Sequence, residues 1–346
     1  MTKNDFPKLI GAFPRQLLAG LSAAREAAAN MPPFRPRRPI SHLVFCGMGG
    51  SALPALLLRD FIRSDTKLAR RHLHIVVHRD YGLPPEALTS SALILITSYS
   101  GNTEEALSSY RDARRHRLPV LAITSGGSLA RQAKRDHVAL ARINRGLPPR
   151  FAVGEQFSAA LGLLIRLGFL PISLERKLSA TASLLKPSAF PRKAHRIAKL
   201  LQHRIPLIYA SDRNEALAYI WKIQMNESAK IPAFANVFPE LNHNEMNSYA
   251  MLTNTQSALR KMLAVVMLHD ARDRSSVKKR MRVTSSLITR SGVPVIPVAL
   301  SGRHSLTRTF NGFLLGEWVA GIRARSYGVD PLPTNLIEEF KRRLRP

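Results

Sequence analysis

Cysteine and long apolar runs are nearly absent from this chain of 346 residues. Its single cysteine, Cys46, excludes an internal disulfide framework and suits a reducing compartment. No apolar run approaches the ~20 residues that span a bilayer, and the N-terminus has no continuous apolar segment of signal-peptide length. We therefore expect a cytoplasmic protein that has no membrane as its partner.

Acidic residues are also few, because 23 Asp and Glu stand against 52 Lys and Arg, for a formal net charge of +29. Such a charge attracts polyanions, so nucleic acid has to be considered as a partner. The basic residues are scattered, however, and their densest groups, at 35–38, 278–282 and 341–343, do not alternate with aromatic residues as a base-stacking platform would. No zinc-finger, basic-zipper or ribonucleoprotein motif is present. A solvated basic surface that speeds the encounter with an anionic substrate is the better interpretation.

Short apolar runs alternate with helical patterns through the first half of the chain. The runs are rich in Val, Ile and Leu, as in a sheet buried on both faces, and predict the strands Leu43–Cys46, Leu73–Val77, Leu93–Thr97, Val120–Thr124 and Val138–Leu140. The predicted helices between them are Ala52–Arg63, Thr103–Arg117 and Ser128–Arg135, the last capped by Ser128. This βα repetition predicts a doubly wound parallel sheet that binds ligands at the carboxyl ends of its strands.

A proline-rich break at 147–150 ends this half, and a weaker copy of the pattern follows. The predicted elements are the helices Gln156–Ile165 and Arg176–Leu185, the strand Ile205–Ala210, the helix Asn214–Asn226, the strands Phe234–Phe238, Leu263–Leu268 and Val293–Ala299, and a final helix to Leu344. The length suffices for two domains, which we expect at 1–152 and 153–346. The predicted fold class is therefore α/β, with two doubly wound, flavodoxin-like parallel sheets in tandem.

Two loops rich in glycine and hydroxyl groups follow the first and third predicted strands. The loop 98–103, Ser-Tyr-Ser-Gly-Asn-Thr, leads from a buried strand into a helix, where free N–H groups and the helix dipole favour an anion. The loop 47–52, Gly-Met-Gly-Gly-Ser-Ala, can complete the cradle with Ser51. Together they predict a phosphomonoester site, whereas the loop 98–103 alone could be an ordinary capped turn.

Other kinds of site fit the residues less well. The first loop also matches the loose dinucleotide pattern G-x-G-x-x-A, with Asp80 as the ribose-binding acid, so an NADP-dependent dehydrogenase stays open. Asp80 follows Gly47 by 33 residues, later than the usual ~20. His72, His74 and His78 could share one face of a strand, but no cysteine or carboxylate nearby completes a metal site. No G-x-S-x-G nucleophile elbow is present, and we expect neither a metal nor an organic cofactor.

The segments GMGGSA and SYSGNTEEAL together resemble a sugar-isomerase (SIS) domain, which binds phosphosugars. The later segments LPPRFAVG, MNESAK, PELNHNEM and GVDPLPTNLIEEFK are similar to the bifunctional phosphoglucose/phosphomannose isomerase family. This resemblance implies two SIS domains and a homodimer whose active site is completed across the subunit interface. It also implies the interconversion of glucose 6-phosphate, and of mannose 6-phosphate, with fructose 6-phosphate, as in glycolysis and gluconeogenesis.

The same resemblance implies a role for each matching residue. Arg150 would stand near C1 and C2 of the sugar, and Glu227 would be the base. His243, contributed by the partner subunit, would open the sugar ring. Lys341 would also contact the substrate, and Thr334 would help the site to accept both epimers. The sugar phosphate would be held by Gly49, Gly50, Ser51, Ser98, Ser100 and Thr103.

The residue types implied by the family are those that the chemistry needs. Aldose–ketose isomerisation moves a proton between C2 and C1 through an enediol. It requires a base near the carbon, a donor for ring opening and positive charge beside the developing oxyanion. Glu227, His243 and Arg150 are of these three types.

Three positions depart from the family pattern, and one alternative function keeps the fold. Ala52, Ala106 and Phe151 stand where glycine, threonine and a small residue are usual. Phe151 could reshape the pocket wall, which affects sugar preference more than reaction type. The alternative is a non-catalytic SIS sensor of phosphosugars that binds nucleic acid, for which the first 40 residues, broken by proline, offer no helix-turn-helix.

Overall fold

The structure, a computed structural model, describes residues 5–34, 36, 38–250 and 254–344, without the side chains of residues 254–257. Its contacts divide the chain into two compact units, the first Ala12–Leu185 and the second Met1–Gly11 with Lys186–Pro346. The division thus falls later than the expected boundary between residues 152 and 153. The physical reason is that the helix Val153–Arg166 packs along Phe13–Ala29 of the same unit, so close that a side chain at Gly162 would overlap Ala24.

The first unit contains a five-stranded sheet with helices on its faces. Its strands are β1 His42–Cys46, β2 His74–His78, β3 Ala92–Thr97, β4 Val120–Thr124 and β5 Ala139–Arg142. After α1, Phe6–Gly11, which belongs to the second unit, its helices are α2 Phe13–Ala29, α3 Leu53–Ser64, α4 Thr66–Ala69, α5 Glu104–Arg115, α6 Gly127–Arg135, α7 Val153–Arg166 and α8 Ser173–Leu184.

All strands of the first sheet are parallel, in the order β2-β1-β3-β4-β5. Every residue of β3 and β4 is buried, as expected of central strands that are covered on both faces. The chain first adds β2 on one side of β1 and then β3 on the other, so its direction of winding reverses between β1 and β3. The loops that follow these two strands therefore lie at the switch point, where open α/β sheets bind their ligands.

The second unit repeats this winding with four strands. They are β6 Ile205–Ser211, β7 Phe234–Phe238, β8 Leu263–His269 and β9 Val295–Ala299, all parallel, in the order β7-β6-β8-β9. The helices are α9 Pro191–Leu200, α10 Glu215–Gln224, α11 Leu241–Asn244, α12 Asn254–Met262, α13 Ser275–Arg290, α14 Ser305–Ser326 and α15 Asn335–Arg343. This strand order corresponds to β2-β1-β3-β4 of the first sheet.

The predicted fold class is confirmed, and the predicted strands are present with ends that shift by a residue or two. The expected proline breaks lie after α2, where the described residues up to β1 form no helix. Pro14 is not a break, because it lies in the first turn of α2, where its missing N–H costs nothing. The predicted cap of α6 is wrong, since Gly126 is the N-cap and Ser128 lies inside the helix. None of the described helices is both long and apolar enough to cross a bilayer.

The basic groups fall in different places. Residues 278–280 and Arg282 are exposed on α13, as a solvated face requires. Of the group at 35–38, Arg35 and Arg37 lie outside the described residues.

Candidate functional site

The loop after β1 owes its shape to three glycines. Gly49 adopts a left-handed backbone conformation with φ of +51°, which residues other than glycine rarely adopt. A Cβ atom on Gly47 would lie 2.6 Å from the carbonyl oxygen of Thr97, at the end of β3. A Cβ atom on Gly50 would lie 2.6 Å from the backbone nitrogen of Arg150. The glycines therefore let this loop touch both the end of β3 and the turn that carries Arg150.

Hydroxyl groups connect the two loops. The Tyr99 N–H donates to Ser51 Oγ at 3.0 Å, which joins the loop after β3 to the loop after β1. Ser98 Oγ lies 2.9 Å from Thr103 Oγ1 and accepts the N–H of Gly101 at 3.1 Å. Ser51 and Ser98 are buried, and Thr103 is half-buried. The structure thus brings together the predicted phosphate-binding residues of both loops.

The N-terminus of α5 completes this arrangement. Thr103 is its N-cap, but the Thr103 hydroxyl bonds to Ser98 and makes no cap bond to the helix. The first N–H groups of α5 therefore have no side-chain acceptor and, with the positive end of the helix dipole, face the loop. Ser100 is exposed beside them, and its Oγ accepts the N–H of Asn102 at 3.2 Å. This combination of N–H groups and hydroxyls can bind a phosphate.

Further contacts that were not predicted from the sequence hold the loop after β3 in place. The Tyr99 hydroxyl accepts the N–H of Leu147 at 2.8 Å, and Tyr99 O accepts Ser125 Oγ at 2.7 Å. Burial raises the pKa of Tyr99. Asn102 Oδ1 accepts the N–H of Ser128 at 2.9 Å, so Asn102 serves α6 in the way that Ser128 was expected to. The glycine-and-serine run at 125–128 was the one visible sign of this contact.

Arg150 lies in a short 3-10 turn, Pro149–Phe151, and is 4% exposed. Its guanidinium carbon lies 4.8 Å from the centre of the Phe151 ring, a cation–π contact. Two buried amides hold the turn, since Gln16 Nε2 donates to Phe151 O at 2.8 Å and Gln156 Nε2 to Pro149 O at 3.4 Å. Phe151, which departs from the family pattern, is itself buried and supports the arginine.

Glu227 belongs to the second unit. It lies half-buried in a π-helical turn, Met225–Ala229, that continues α10. Lys230, which has φ of +59°, donates from Nζ to the carbonyl oxygens of Glu227 and Pro333. The turn of Glu227 is thereby fastened to the terminal turn that precedes Thr334, the N-cap of α15. The sequence did not single out Lys230, although it lies in the segment MNESAK.

His243 and Glu227 lie at opposite edges of the second sheet. Glu227 is in the connection between α10 and β7, which is at the amino end of β7, whereas His243 is on α11, just after the carboxyl end of β7. The five residues of β7 separate these edges by about 13 Å at a rise of about 3.3 Å per residue. His243 is exposed. The element order therefore places the backbone of these two residues beyond opposite ends of β7.

Lys341 lies on α15, where its Nζ is 2.8 Å from Glu338 Oε1. Both side chains are more than half exposed, so this ion pair contributes little to stability. No residue of α15 is buried among the residues that the structure describes.

Carboxylates occupy the carboxyl edge of the second sheet, at the place where the first sheet has its hydroxyl-rich loops. Ser211 Oγ donates to Asp273 Oδ1 at 2.6 Å, and Arg308 Nε lies 3.0 Å from Asp270 Oδ1, outside hydrogen-bonding alignment. Burial raises the pKa of Asp273. These carboxylates are already engaged by partners within the second unit, and the described residues of this edge include no counterpart of the hydroxyl-rich loops found in the first unit.

The histidines considered as metal ligands do not form a metal site. His78 Nε2 lies 3.3 Å from the carbonyl oxygen of Tyr81, and the His74 ring stacks on His42 at 5.2 Å. Within the described ranges, no three His, Cys, Asp or Glu side chains are grouped so as to hold a metal ion.

Comparison with known proteins decides the family. Residues 190–344 match the bacterial phospho-glucose isomerase C-terminal SIS domain. A bifunctional phosphoglucose/phosphomannose isomerase from Caldicellulosiruptor bescii is 34% identical over 334 residues, which cover 94% of this chain and 95% of that protein. The chain belongs to the bifunctional phosphoglucose/phosphomannose isomerase family. The family member from Aquifex aeolicus is 31% identical, over 89% of this chain and 91% of its own.

Solved structures agree on the fold of this phosphoglucose/phosphomannose isomerase family member. The crystal structure of tagatose-6-phosphate ketose/aldose isomerase from Escherichia coli superposes with a TM-score of 0.68, over 94% of this chain and 93% of that one. At 14% identity the likeness shows the SIS fold alone. The family resemblance expected from the loops and the later segments is therefore confirmed.

Proposed function

We propose that the protein is a sugar-phosphate isomerase that interconverts glucose 6-phosphate, and mannose 6-phosphate, with fructose 6-phosphate. Family membership over nearly the whole chain supports the reaction class. The observation that carries the proposal is the pair of hydroxyl-rich loops at the switch point of the first sheet, joined by the bond between Tyr99 and Ser51. Buried Arg150 lies against the first of these loops.

In this proposal, the loops hold the sugar phosphate. Backbone N–H groups of α5 and of the glycine loop donate to its oxygens, with hydroxyls from Ser51, Ser98, Ser100 and Thr103. Each charge-assisted hydrogen bond is worth roughly 1.5–3 kcal/mol, enough to keep the sugar in register while C1 and C2 react. Gly49 and Gly50 contribute by allowing the backbone to approach the phosphate.

Glu227 is proposed as the base. Its carboxylate removes the proton from C2 of the aldose, the electrons of the C–H bond form a double bond between C1 and C2, and the carbonyl oxygen on C1 takes up a proton to give the enediol. The proton held by the carboxylate then returns to C1 while the hydroxyl on C2 gives up its proton, which leaves the carbonyl group at C2 and produces the ketose. The guanidinium of Arg150 stabilises the negative charge that develops on the sugar oxygens, and Lys341 contacts the substrate. Lys230 supports this role of Glu227 by fixing the backbone of its turn.

His243 is proposed to reach the substrate from a second copy of the chain, where it opens the sugar ring. The positions of Glu227 and His243 at opposite edges of one sheet support this assignment, since β7 alone separates the edges by about 13 Å. A homodimer can supply both groups to one site. Thr334, beside the turn of Glu227, is proposed to help the site accept both epimers.

The remaining expectations are proposals of the same kind. The two compact units correspond to the two SIS domains, and the family match to residues 190–344 supports this for the second. A cytoplasmic location accords with a buried Cys46 that forms no disulfide. The proposed interconversion of hexose phosphates is the basis for a role in glycolysis or gluconeogenesis. No metal or organic cofactor is needed for the enediol chemistry.

A coupled assay with purified protein on both hexose phosphates tests the function. The expected result is turnover of both sugars without added cofactor. Binding of phosphosugar without turnover, together with a gel shift at physiological salt, would instead favour the sensor. Quenching of cofactor fluorescence on titration would favour the dehydrogenase.

A further inference from the structure

The neighbours of His243 on α11 are held by burial or by side-chain hydrogen bonds, whereas His243 itself is exposed. Leu241 is wholly buried, and Asn242 Nδ2 donates to Thr284 Oγ1 on α13 at 2.8 Å. On the other side of the histidine, Asn244 Nδ2 donates to Glu240 Oε1 at 3.2 Å. A helix of four residues does not hold its shape alone, because helix nucleation is unfavourable. The direction of His243 therefore depends on these side contacts.

Glu245, the residue that ends α11, has the strongest anchor. The Tyr209 hydroxyl donates to Glu245 Oε1, and Asn236 Nδ2 donates to Glu245 Oε2 at 2.6 Å. The Tyr249 hydroxyl bonds to that of Tyr209. Tyr209 is 1% exposed and Tyr249 is 4% exposed. Burial raises the pKa of both phenols, so each hydroxyl keeps the proton that it donates.

This network stands on β6 and on β7, the outer strand of the second sheet. Tyr209 is on β6 and Asn236 is its partner in register on β7. Both donors therefore come from hydrogen-bonded parallel strands, which are rigid, and both point to the same carboxylate. The backbone carbonyl oxygen of Glu245 also accepts a hydrogen bond from the Ser248 hydroxyl at 2.7 Å. The chain just after His243 is thus tied directly to the sheet.

We propose that Tyr209, with Asn236 and Tyr249, is a positioning residue for His243, because it holds Glu245 and so fixes where the imidazole is presented. The proposal rests on the ring-opening role proposed for His243. Tyr209 touches no substrate in this account and acts only through the backbone of α11. Loss of its hydroxyl should therefore damage ring opening and spare the proton transfer at C1 and C2.

Two substrates separate these steps. Fructose 6-phosphate is a closed ring in solution, whereas 5-deoxyfructose 6-phosphate lacks the hydroxyl that closes the ring and is always open. Tyr209→Phe should lower kcat on fructose 6-phosphate about 10–100-fold, as expected for a misplaced catalytic group. On the open-chain analogue the change should stay within about 2-fold, because the base and the phosphate loops are untouched. Glu245→Gln and Tyr249→Phe should shift the two rates in the same sense.

Tyr110→Phe is the matched control. Tyr110 is 1% exposed and its hydroxyl donates to Asp136 Oδ2 at 2.9 Å, so the substitution removes the same kind of bond. It belongs to the first unit, whereas α11 belongs to the second. Thermal unfolding of both variants reports any general loss of stability. The control should treat the two substrates alike, whatever its effect on stability.

His243→Gln gives the reference pattern and separates the two proposals. If His243→Gln slows only the ring substrate and Tyr209→Phe does the same, the positioning role is supported. If His243→Gln is selective but Tyr209→Phe slows both substrates or neither, the positioning role is overturned and the proposed function stands. If His243→Gln slows both substrates equally, the ring-opening role is wrong, and the inference about Tyr209 is overturned with it.

Discussion

The N–H of Tyr99 donates to Ser51 Oγ across 3.0 Å, and this one bond joins the two loops proposed to hold the phosphate. Ser51→Ala removes both the acceptor and a hydroxyl for the phosphate. We expect KM for the sugar phosphate to rise about 10–100-fold, from loss of a bond worth roughly 1.5–3 kcal/mol, with little change in kcat. Inhibition by inorganic phosphate should weaken in parallel, which steady-state kinetics measures.

Ser108→Ala is the control for this prediction. The Ser108 hydroxyl also accepts a backbone N–H, that of Gly82 at 3.1 Å, but it lies on α5 outside the two loops. Its KM should stay as in the unchanged protein. If phosphate inhibits Ser51→Ala as well as it inhibits the control, the anion is not held by these loops.

Glu227→Gln tests the proposed base. The amide keeps the size of the side chain but cannot take the proton from C2. We expect kcat to fall about 10²–10⁴-fold while phosphosugar still binds, as measured by calorimetry. Glu86→Gln, at an exposed glutamate outside both phosphate loops, is the control and should keep nearly full activity. Full turnover by Glu227→Gln would remove Glu227 from the mechanism.

Mixing two inactive variants tests the second copy. Glu227→Gln and His243→Gln protomers, refolded together, can form dimers in which one site carries both substitutions and the other carries neither. Random pairing should restore on the order of a quarter of the original activity. If Glu227 and His243 served the site from one chain, no mixture would regain activity, so an inactive mixture with proven heterodimers would contradict the assignment.

Arg308→Met tests the cluster at the carboxyl edge of the second sheet. The Arg308 and Asp270 side chains are only 9% and 5% exposed, so the substitution leaves a buried carboxylate without its cation. We expect a loss of about 3–5 kcal/mol in the free energy of unfolding, measured in urea. Arg115→Met breaks an exposed pair with Asp112 and should cost less than about 1 kcal/mol. An equal, small loss in both would mean that the cluster adds nothing.

His269 should make stability depend on pH. Burial lowers the pKa of His269 in the folded protein, against a smaller opposite effect of Asp273. The unfolded chain therefore binds more protons than the folded one just below the ordinary histidine pKa of about 6.5. Stability should fall as pH drops through that window, and His269→Gln should reduce the fall. Equal slopes for the unchanged protein and for His269→Gln would refute the prediction.

The sequence allowed the sheets and the phosphate loops to be predicted because both depend on local pattern. Buried strands such as Val120–Thr124 are continuous apolar runs, and glycine and hydroxyl residues that follow such a run predict a turn from strand to helix, whose binding of phosphate remains a prediction. The family segments added Arg150, Glu227 and His243, whose roles remain predictions. Short-range information therefore sufficed for the fold and for most of the first unit's loops.

The contacts between distant segments could not be predicted. Nothing local to Asn102 indicates that it serves α6, and nothing near Lys230 indicates a bond to Pro333, about a hundred residues later. Likewise, the sequence around Tyr209 indicates only a strand residue, and its place beside Asn236 follows from the pairing of β6 with β7. These partners are chosen by the packing of whole elements, which a periodic pattern does not contain.

The length of β7 has a consequence for how the enzyme would behave in dilute solution. If the strand keeps Glu227 and His243 of one chain at its two ends, in two different active sites, a lone protomer can hold substrate but cannot complete a turnover. The rate per chain would then drop as the concentration passes below the dissociation constant of the pair. Activity would therefore report on dimer formation, because the five-residue strand would keep the two groups too far apart to act within one protomer.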